Sequence, residues 1–146
     1  KIQILVTLLD LLKENTSSIF NAELNSDEPA VRKVERLFEN HFKSFAGMPS
    51  LASVVFSEEI FRNEKQLIGK ISEVIEYNNQ ALLTILKQGQ QKNEIRNDIS
   101  GEHLVIFIMG TLRLFVKKWQ FSNFSFDLER EGGNLIESVK LLILKI

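Results

Sequence analysis

Apolar residues recur at three- and four-residue steps along most of the chain, the spacing that places side chains on one face of an α-helix. In residues 2–24 the apolar positions of this pattern are Ile2, Leu5, Leu8, Leu9, Leu12, Ile19 and Phe20. A second set of apolar residues, from Val31 to Phe45, follows the segment Ser26-Asp27-Glu28-Pro29, which can cap a helix, and Gly47 marks the end of that helix. The pattern therefore predicts a first helix over 2–24 and a second that starts at Pro29 and ends at Gly47.

The same spacing predicts helices over the rest of the chain. Gly89 is expected to end the long fourth helix, whereas Ser100 and Asp127 supply side-chain oxygens that cap the fifth and last helices. We expect one or two short helices in residues 49–62, the longest helix over 64–88, a polar connector over 90–99, a fifth helix ending near residue 121 and a last helix running to residue 146. No β-hairpin pattern is found, and the fold class is predicted to be all-α with about six helices.

The last two helices have more apolar surface than one core needs. The fifth helix is apolar on all sides from Leu104 to Met109. The last helix has one apolar stripe, formed by Leu128, Gly132, Leu135, Val139, Leu142 and Ile146, and Leu141, Ile143 and Leu144 add apolar surface on its other sides. We expect a closed two-fold homodimer, in which these helices form a four-helix interface. The predicted interface residues are Leu104, Ile108, Gly110, Phe115, Trp119, Leu128, Gly132, Leu135, Val139, Leu142 and Ile146. The alternative is a monomer whose long helices lie in a larger core.

Length, charge and cysteine content limit the classes of protein. The 146 residues fit one domain, residues 1–146. Eighteen Lys and Arg against nineteen Asp and Glu give a formal net charge of −1, so the positive surplus that drives binding to DNA or anionic lipid is absent from the sequence. The chain has no Cys, which suits a cytoplasmic protein, and its longest uncharged apolar run, residues 104–112, is too short to span a bilayer. We expect no membrane partner and no targeting segment.

The sequence offers no pattern for catalysis or metal binding. Neither His41 nor His103 has a glutamate at metal-ligand spacing, and both are expected on helix surfaces. Because there is no nucleophile elbow, no cysteine and no phosphate-binding glycine loop, we predict that the protein is not an enzyme and uses no cofactor.

The eleven Phe residues allow a second use besides core packing, because small-molecule pockets are lined mainly by apolar and aromatic side chains with a few polar anchors. Asn78 interrupts the apolar stripe of the fourth helix beside Tyr77, and either could hydrogen-bond a ligand. Arg113 interrupts the apolar fifth helix and could pair with a ligand carboxylate. The alternative is an ordinary surface position for all three. The candidate ligand-binding residues are Phe42, Phe45, Phe61, Tyr77, Asn78, Phe107 and Arg113.

A series of residues in the C-terminal half has a recognisable order and spacing. The series comprises Gly89, the segment Glu94-Ile95-Arg96-Asn97-Asp98-Ile99, Leu104, Gly110, Trp119, Ser122, Phe126-Asp127-Leu128, Glu131-Gly132 and Leu135. With helices of matching length between them, these residues resemble the regulatory domain of TetR-family transcriptional regulators. The opening segment Lys1-Ile2-Gln3-Ile4-Leu5 resembles the stretch that follows the helix-turn-helix of that family.

The resemblance implies a division of labour among the helices. Residues 1–24 would link to an N-terminal DNA-binding domain that this chain lacks, so DNA would be contacted only through that missing domain. The middle helices would surround a pocket for an unknown small apolar or amphipathic effector, and the last two would form the homodimer. Effector binding would shift the linking helix and thereby alter operator affinity. The alternatives are a free-standing helical small-molecule or lipid-binding protein and a helical protein-interaction adaptor.

Overall fold

A computed structural model describes residues 2–55 and 65–146. These residues form six α-helices: α1 Ile2–Leu24, α2 Ala30–Gly47, α3 Pro49–Val55, α4 Lys65–Gln91, α5 Gly101–Phe121 and α6 Leu128–Ile143. The predicted all-α class is confirmed, and the predicted bounds of the first, second and fifth helices agree with the structure to within one residue. The second short helix considered for residues 49–62 lies partly outside the described residues.

The central element of the bundle is α4. It packs against α1, α2 and α5, while α2 also lies along α6. Between these helices is one apolar core, whose largest fully buried side chains include Leu9, Phe42, Ile71, Ile85 and Leu128. The arrangement follows from amphipathic helices that each bury one stripe, with α4 buried on several sides because it is surrounded.

The N-terminus of α2 is capped from a distant part of the chain. Pro29 occupies the N-cap position, and the Ala30 N–H donates a hydrogen bond to the Glu94 carboxylate at 2.8 Å. The predicted local cap is therefore wrong, since the Ser26 hydroxyl accepts a hydrogen bond from the Glu28 N–H instead. A carboxylate at a helix N-terminus also interacts favourably with the helix dipole.

Gly89 does not end the fourth helix, which continues to Gln91. A Cβ at Gly89 would lie 2.6 Å from the Ala30 Cβ, so the absence of a side chain allows α2 to approach α4 closely. The helix ends in a Schellman motif instead: Asn93 has a φ of 64°, its N–H donates to Gln90 O, and the Glu94 N–H donates to Gly89 O at 2.8 Å. Asparagine tolerates the left-handed conformation that such a cap requires.

The last helix also ends earlier than predicted. It stops at Ile143, and Leu144 is extended and forms an antiparallel bridge with Ile95 of the connector between α4 and α5. The Arg96 guanidinium donates to the Leu142 carbonyl at 3.1 Å and to Asp98 at 2.8 Å, and this pairing holds the pKa of Asp98 at about 2. Arg96 thus provides hydrogen-bond donors for the carbonyl groups of Leu142 and Ile143, which have no partner within α6 because the helix ends there.

Candidate effector site and outer surface

A cavity of about 10 Å³ lies where α1, α2, α4 and α5 meet. We call it the core cavity. Its walls are apolar except at three positions, one on each of three helices: Thr16 on α1, His41 on α2 and Asn78 on α4. The apolar lining consists of Leu37, Phe38, Ala81, Leu82, Met109 and Leu112.

The three polar side chains of the core cavity each have an unpaired atom. Thr16 is only 2% exposed, and Thr16 Oγ1, His41 Nε2 and Asn78 Oδ1 are buried with no hydrogen-bond partner among the described residues. Buried polar atoms in proteins are nearly always paired, and leaving one unpaired costs roughly 1–3 kcal/mol. Three such atoms on three different helices thus line one cavity in an otherwise apolar part of the core.

The hydrogen bonding of His41 fixes which form of the ring faces the cavity. Its Nδ1 lies 2.6 Å from the Leu37 carbonyl, which can only accept, so Nδ1 carries the proton and donates. Burial lowers the pKa of His41 and outweighs the hydrogen bond to Leu37, which favours the charged form. The ring is therefore neutral near pH 7, and Nε2 presents a lone pair. His103 is exposed as predicted, whereas His41 is partly buried, with its Nε2 inaccessible to solvent.

The structure separates the predicted ligand-binding residues into three groups. Asn78 lines the core cavity. Phe42 and Phe45 lie in the core nearby, where the Phe42 ring packs edge-on against Phe38 and the Phe45 ring lies 6.3 Å from that of His41.

The remaining predicted ligand residues lie elsewhere. The Tyr77 ring packs edge-on against Phe20 of α1, at 6.1 Å between centroids. Phe107 and Arg113 are exposed on the outside of α5, and Phe61 lies outside the described residues. Their assignment to a ligand site thus stays a prediction.

Sequence reasoning missed Thr16 and His41. Thr16 follows Leu12 by four residues, and His41 lies four residues after Leu37 and four before Phe45. These spacings place both side chains on the apolar faces of their helices. A polar residue on an apolar stripe is the signal that identified Asn78, and it applies equally to these two.

The residues predicted for a dimer interface also divide into groups. Gly110, Leu142 and Ile146 are exposed, and Phe115 and Leu135 are partly buried. The others are buried in the core of this chain: Leu104, Ile108, Trp119, Leu128, Gly132 and Val139. The stripe of α6 that faces the core is Leu128, Gly132, Ile136, Val139 and Ile143. The assignment of all these residues to a dimer interface stays a prediction.

A further set of apolar residues is exposed along one side of α5 and the end of α6. On α5 the spacing from Phe107 to Gly110, Leu114 and Phe121 follows one helical face, and Phe121 is 86% exposed. Leu142 of α6 is 67% exposed and lies with Phe107 in a groove of about 260 Å³ between the two helices. We call these five residues the outer stripe.

Across residues 2–55 and 65–146, the His, Asp and Glu side chains form no group of three or more that could hold a metal ion. Among the helices that the structure describes, none has the length and apolar character needed to cross a membrane.

The fold matches solved structures of bacterial transcriptional regulators. FadR from Bacillus subtilis, solved in complex with stearoyl-CoA, is 23% identical with a TM-score of 0.79, over 93% of this chain and 73% of that one. The fatty acid degradation regulator FadR from Bacillus halodurans is 25% identical with a TM-score of 0.72, over 92% and 69%. The ketosteroid transcriptional regulator KstR2 of Mycobacterium tuberculosis is 15% identical with a TM-score of 0.79, over 99% and 73%.

The family of the chain follows from its sequence. No curated protein sequence matches it significantly. The family model described as "YsiA-like protein, C-terminal region" matches residues 12–145, nearly the whole chain. This is a family of transcriptional regulators and not of enzymes. The chain therefore belongs to the YsiA-like C-terminal regions of TetR-family transcriptional regulators, and it is a ligand-binding domain of that kind.

Proposed function

We propose that the chain senses an effector with a long apolar chain, of the fatty acyl-CoA class, and that the apolar chain enters the core cavity. The observation that supports this most directly is the core cavity itself, with apolar walls from four helices and three unpaired polar atoms. Pockets that bind small molecules have this composition. The acyl-CoA class is inferred from the FadR structures, one of which holds stearoyl-CoA.

The size of the core cavity supplies a switching mechanism. About 10 Å³ is the space of a single water, so an acyl chain fits only if the surrounding helices separate. We expect α1 to move, because Thr16 of α1 forms one wall of the cavity and α1 is joined to α4 by ion pairs at the protein surface. These pairs are Lys70–Asp10 at 3.0 Å and Lys13–Glu73 at 3.6 Å, and their side chains are 35–52% exposed. Exposed pairs of this kind contribute about 0–1 kcal/mol each. The effector would thus favour a conformation with α1 displaced.

The displacement of α1 matters to DNA binding if two chains act together. TetR-family regulators act as dimers that bind DNA and small-molecule effectors. We propose that the outer stripe pairs with its copy in a homodimer, since each large apolar side chain fully removed from water contributes about 1.5–3 kcal/mol. In the full-length cytoplasmic regulator, α1 would connect to a DNA-binding domain, and its shift would change the spacing of the two reading heads. The effector would lower operator affinity by its preference for the shifted state.

A titration with stearoyl-CoA tests the effector site. We expect saturable binding to the wild-type protein by isothermal calorimetry and at least about tenfold weaker binding to Ala81→Leu, which adds volume to the α4 wall of the cavity. Met109→Phe fills the same space from α5, where the side chain is only partly buried, and so tests the idea if Ala81→Leu folds poorly. Gln80→Met is the matched control, because Gln80 is exposed on α4 beside Ala81.

The outcomes separate clearly. Weakening by the two filling variants with unchanged binding to Gln80→Met supports the site. Stearoyl-CoA that binds Ala81→Leu and Met109→Phe as tightly as wild type would place the effector elsewhere, and a wild-type protein that binds no acyl-CoA would overturn the effector class.

A further inference from the structure

The polar atoms of the core cavity form a cluster with a definite hydrogen-bonding demand. His41 Nε2 and Asn78 Oδ1 are acceptors, and the Thr16 hydroxyl can donate or accept. All three are unpaired among the residues described, and they line one cavity of about 10 Å³. Any group that enters must therefore offer a donor to at least one acceptor, and it gains further by accepting from Thr16.

We infer that this cluster selects an effector whose apolar chain carries a hydroxyl group. The inference rests on the proposed function and names a substituent within that effector class. A hydroxyl donates one hydrogen bond, to His41 Nε2 or Asn78 Oδ1, and accepts another from the Thr16 hydroxyl. The apolar side chains around the cluster, among them Leu37 and Leu82, would contact the methylenes on either side.

Other groups that the apolar chain of an effector could carry fit the cluster less well. An oxo group and a carboxylate only accept hydrogen bonds, so each would face the lone pairs of His41 and Asn78. An ammonium group donates, but transferring a charge into apolar surroundings without an opposite charge is costly. A plain methylene is neutral, yet it leaves all three polar atoms unpaired. The hydroxyl alone of these groups is neutral and both donates and accepts.

A binding panel tests the inference with stearoyl-CoA, its analogues with a hydroxyl at successive mid-chain carbons, and the matching oxo analogues. We expect at least one hydroxylated analogue to bind about tenfold tighter than stearoyl-CoA, and its oxo counterpart to bind no tighter than stearoyl-CoA. If every analogue binds like stearoyl-CoA, the inference is overturned and the proposed function stands. If no acyl-CoA binds, the proposed function fails as well.

Two variants connect the preference to the cluster. Thr16→Val and Asn78→Leu replace polar atoms with apolar ones of similar size, so each should reduce the ratio of affinities for the hydroxylated analogue and stearoyl-CoA to about threefold or less. Thr84→Val is the control, because the Thr84 hydroxyl donates to the Gln80 carbonyl at 3.0 Å on the same helix as Asn78. A preference that persists in both Thr16→Val and Asn78→Leu would overturn the inference.

Discussion

Gly132 of α6 lies directly against the ring of Phe42 of α2, and this contact sets the distance between the two helices. A Cβ at Gly132 would lie 2.6 Å from Phe42 Cε2 and closer still to Cδ2, a separation that real Cβ atoms do not show. The Phe42 ring has little room to move aside, because it also packs against Phe38 and Phe115. The contact predicts that neighbouring glycines in α6 respond in opposite ways to the same substitution.

Gly132→Ala should lower the free energy of unfolding by about 1–3 kcal/mol, since the new methyl group overpacks the contact with Phe42. Gly133→Ala is the control: its Cβ would meet open space in the described part of the chain, and alanine improves a helix by up to about 1 kcal/mol over glycine. Urea denaturation measures both. Equal effects of the two substitutions would contradict the packing described for Gly132.

The cap that Glu94 provides for α2 predicts a second pair of variants. Glu94→Ala removes the acceptor of the Ala30 N–H and should lower the free energy of unfolding by about 0.5–2 kcal/mol. Glu94→Gln keeps an oxygen at that position and loses only the charge that favours the helix N-terminus, so the loss should be smaller. The same denaturation measurement compares them, and an equal loss in both variants would show that the hydrogen bond contributes nothing.

Acid should destabilise the protein through His41. Burial lowers the pKa of His41 below its ordinary value of 6.5, so in that range the unfolded chain binds a proton that the folded chain does not. The contribution of His41 to the free energy of unfolding is therefore constant above about pH 6.5. Below that pH it falls, by at most about 1.4 kcal/mol per pH unit. His41→Phe should reduce this fall, whereas His103→Gln, at an exposed position, should leave it unchanged. The measurement is the free energy of unfolding of the wild-type protein and both variants at several pH values below and above 6.5. An identical fall in wild type and His41→Phe would contradict the prediction.

The outer stripe predicts the effect of a charge on assembly. Leu142→Arg places a cation in the proposed homodimer interface and should convert the dimer to a monomer in sedimentation experiments. Leu11→Arg is the control, because Leu11 is 56% exposed on α1, a helix that carries no residue of the outer stripe. A wild-type protein that sediments as a monomer would refute the homodimer, and dissociation by both variants would show that the effect is not specific to the stripe.

Local sequence was sufficient where the determinants are local. Ser100 and Asp127 accept hydrogen bonds from the backbone of their own helices, as their positions predict. The cap of α2 could not be predicted in this way, because Glu94 is 64 residues from Ala30. Gly89 has the residue type of a helix terminator, but its close approach to Ala30 depends on how α2 and α4 pack.

The candidate sites show the same limit. In α6 apolar residues lie on several sides, so spacing alone could not decide whether Leu135 or Ile136 faces the core, and the structure buries Ile136. Asn78 was predicted because it interrupts an apolar stripe. The cluster with Thr16 and His41 was not, because it forms only when α1, α2 and α4 come together.

Hydrogen exchange with and without stearoyl-CoA tests most directly whether the effector binds between α1 and α4. Amide protection should change around Thr16 in α1 and around Asn78 in α4, because the acyl chain of stearoyl-CoA enters between these helices and moves α1. Changes confined to the outer surface around Phe107 and Leu142, with α1 and α4 unaffected at saturating stearoyl-CoA, would contradict the account.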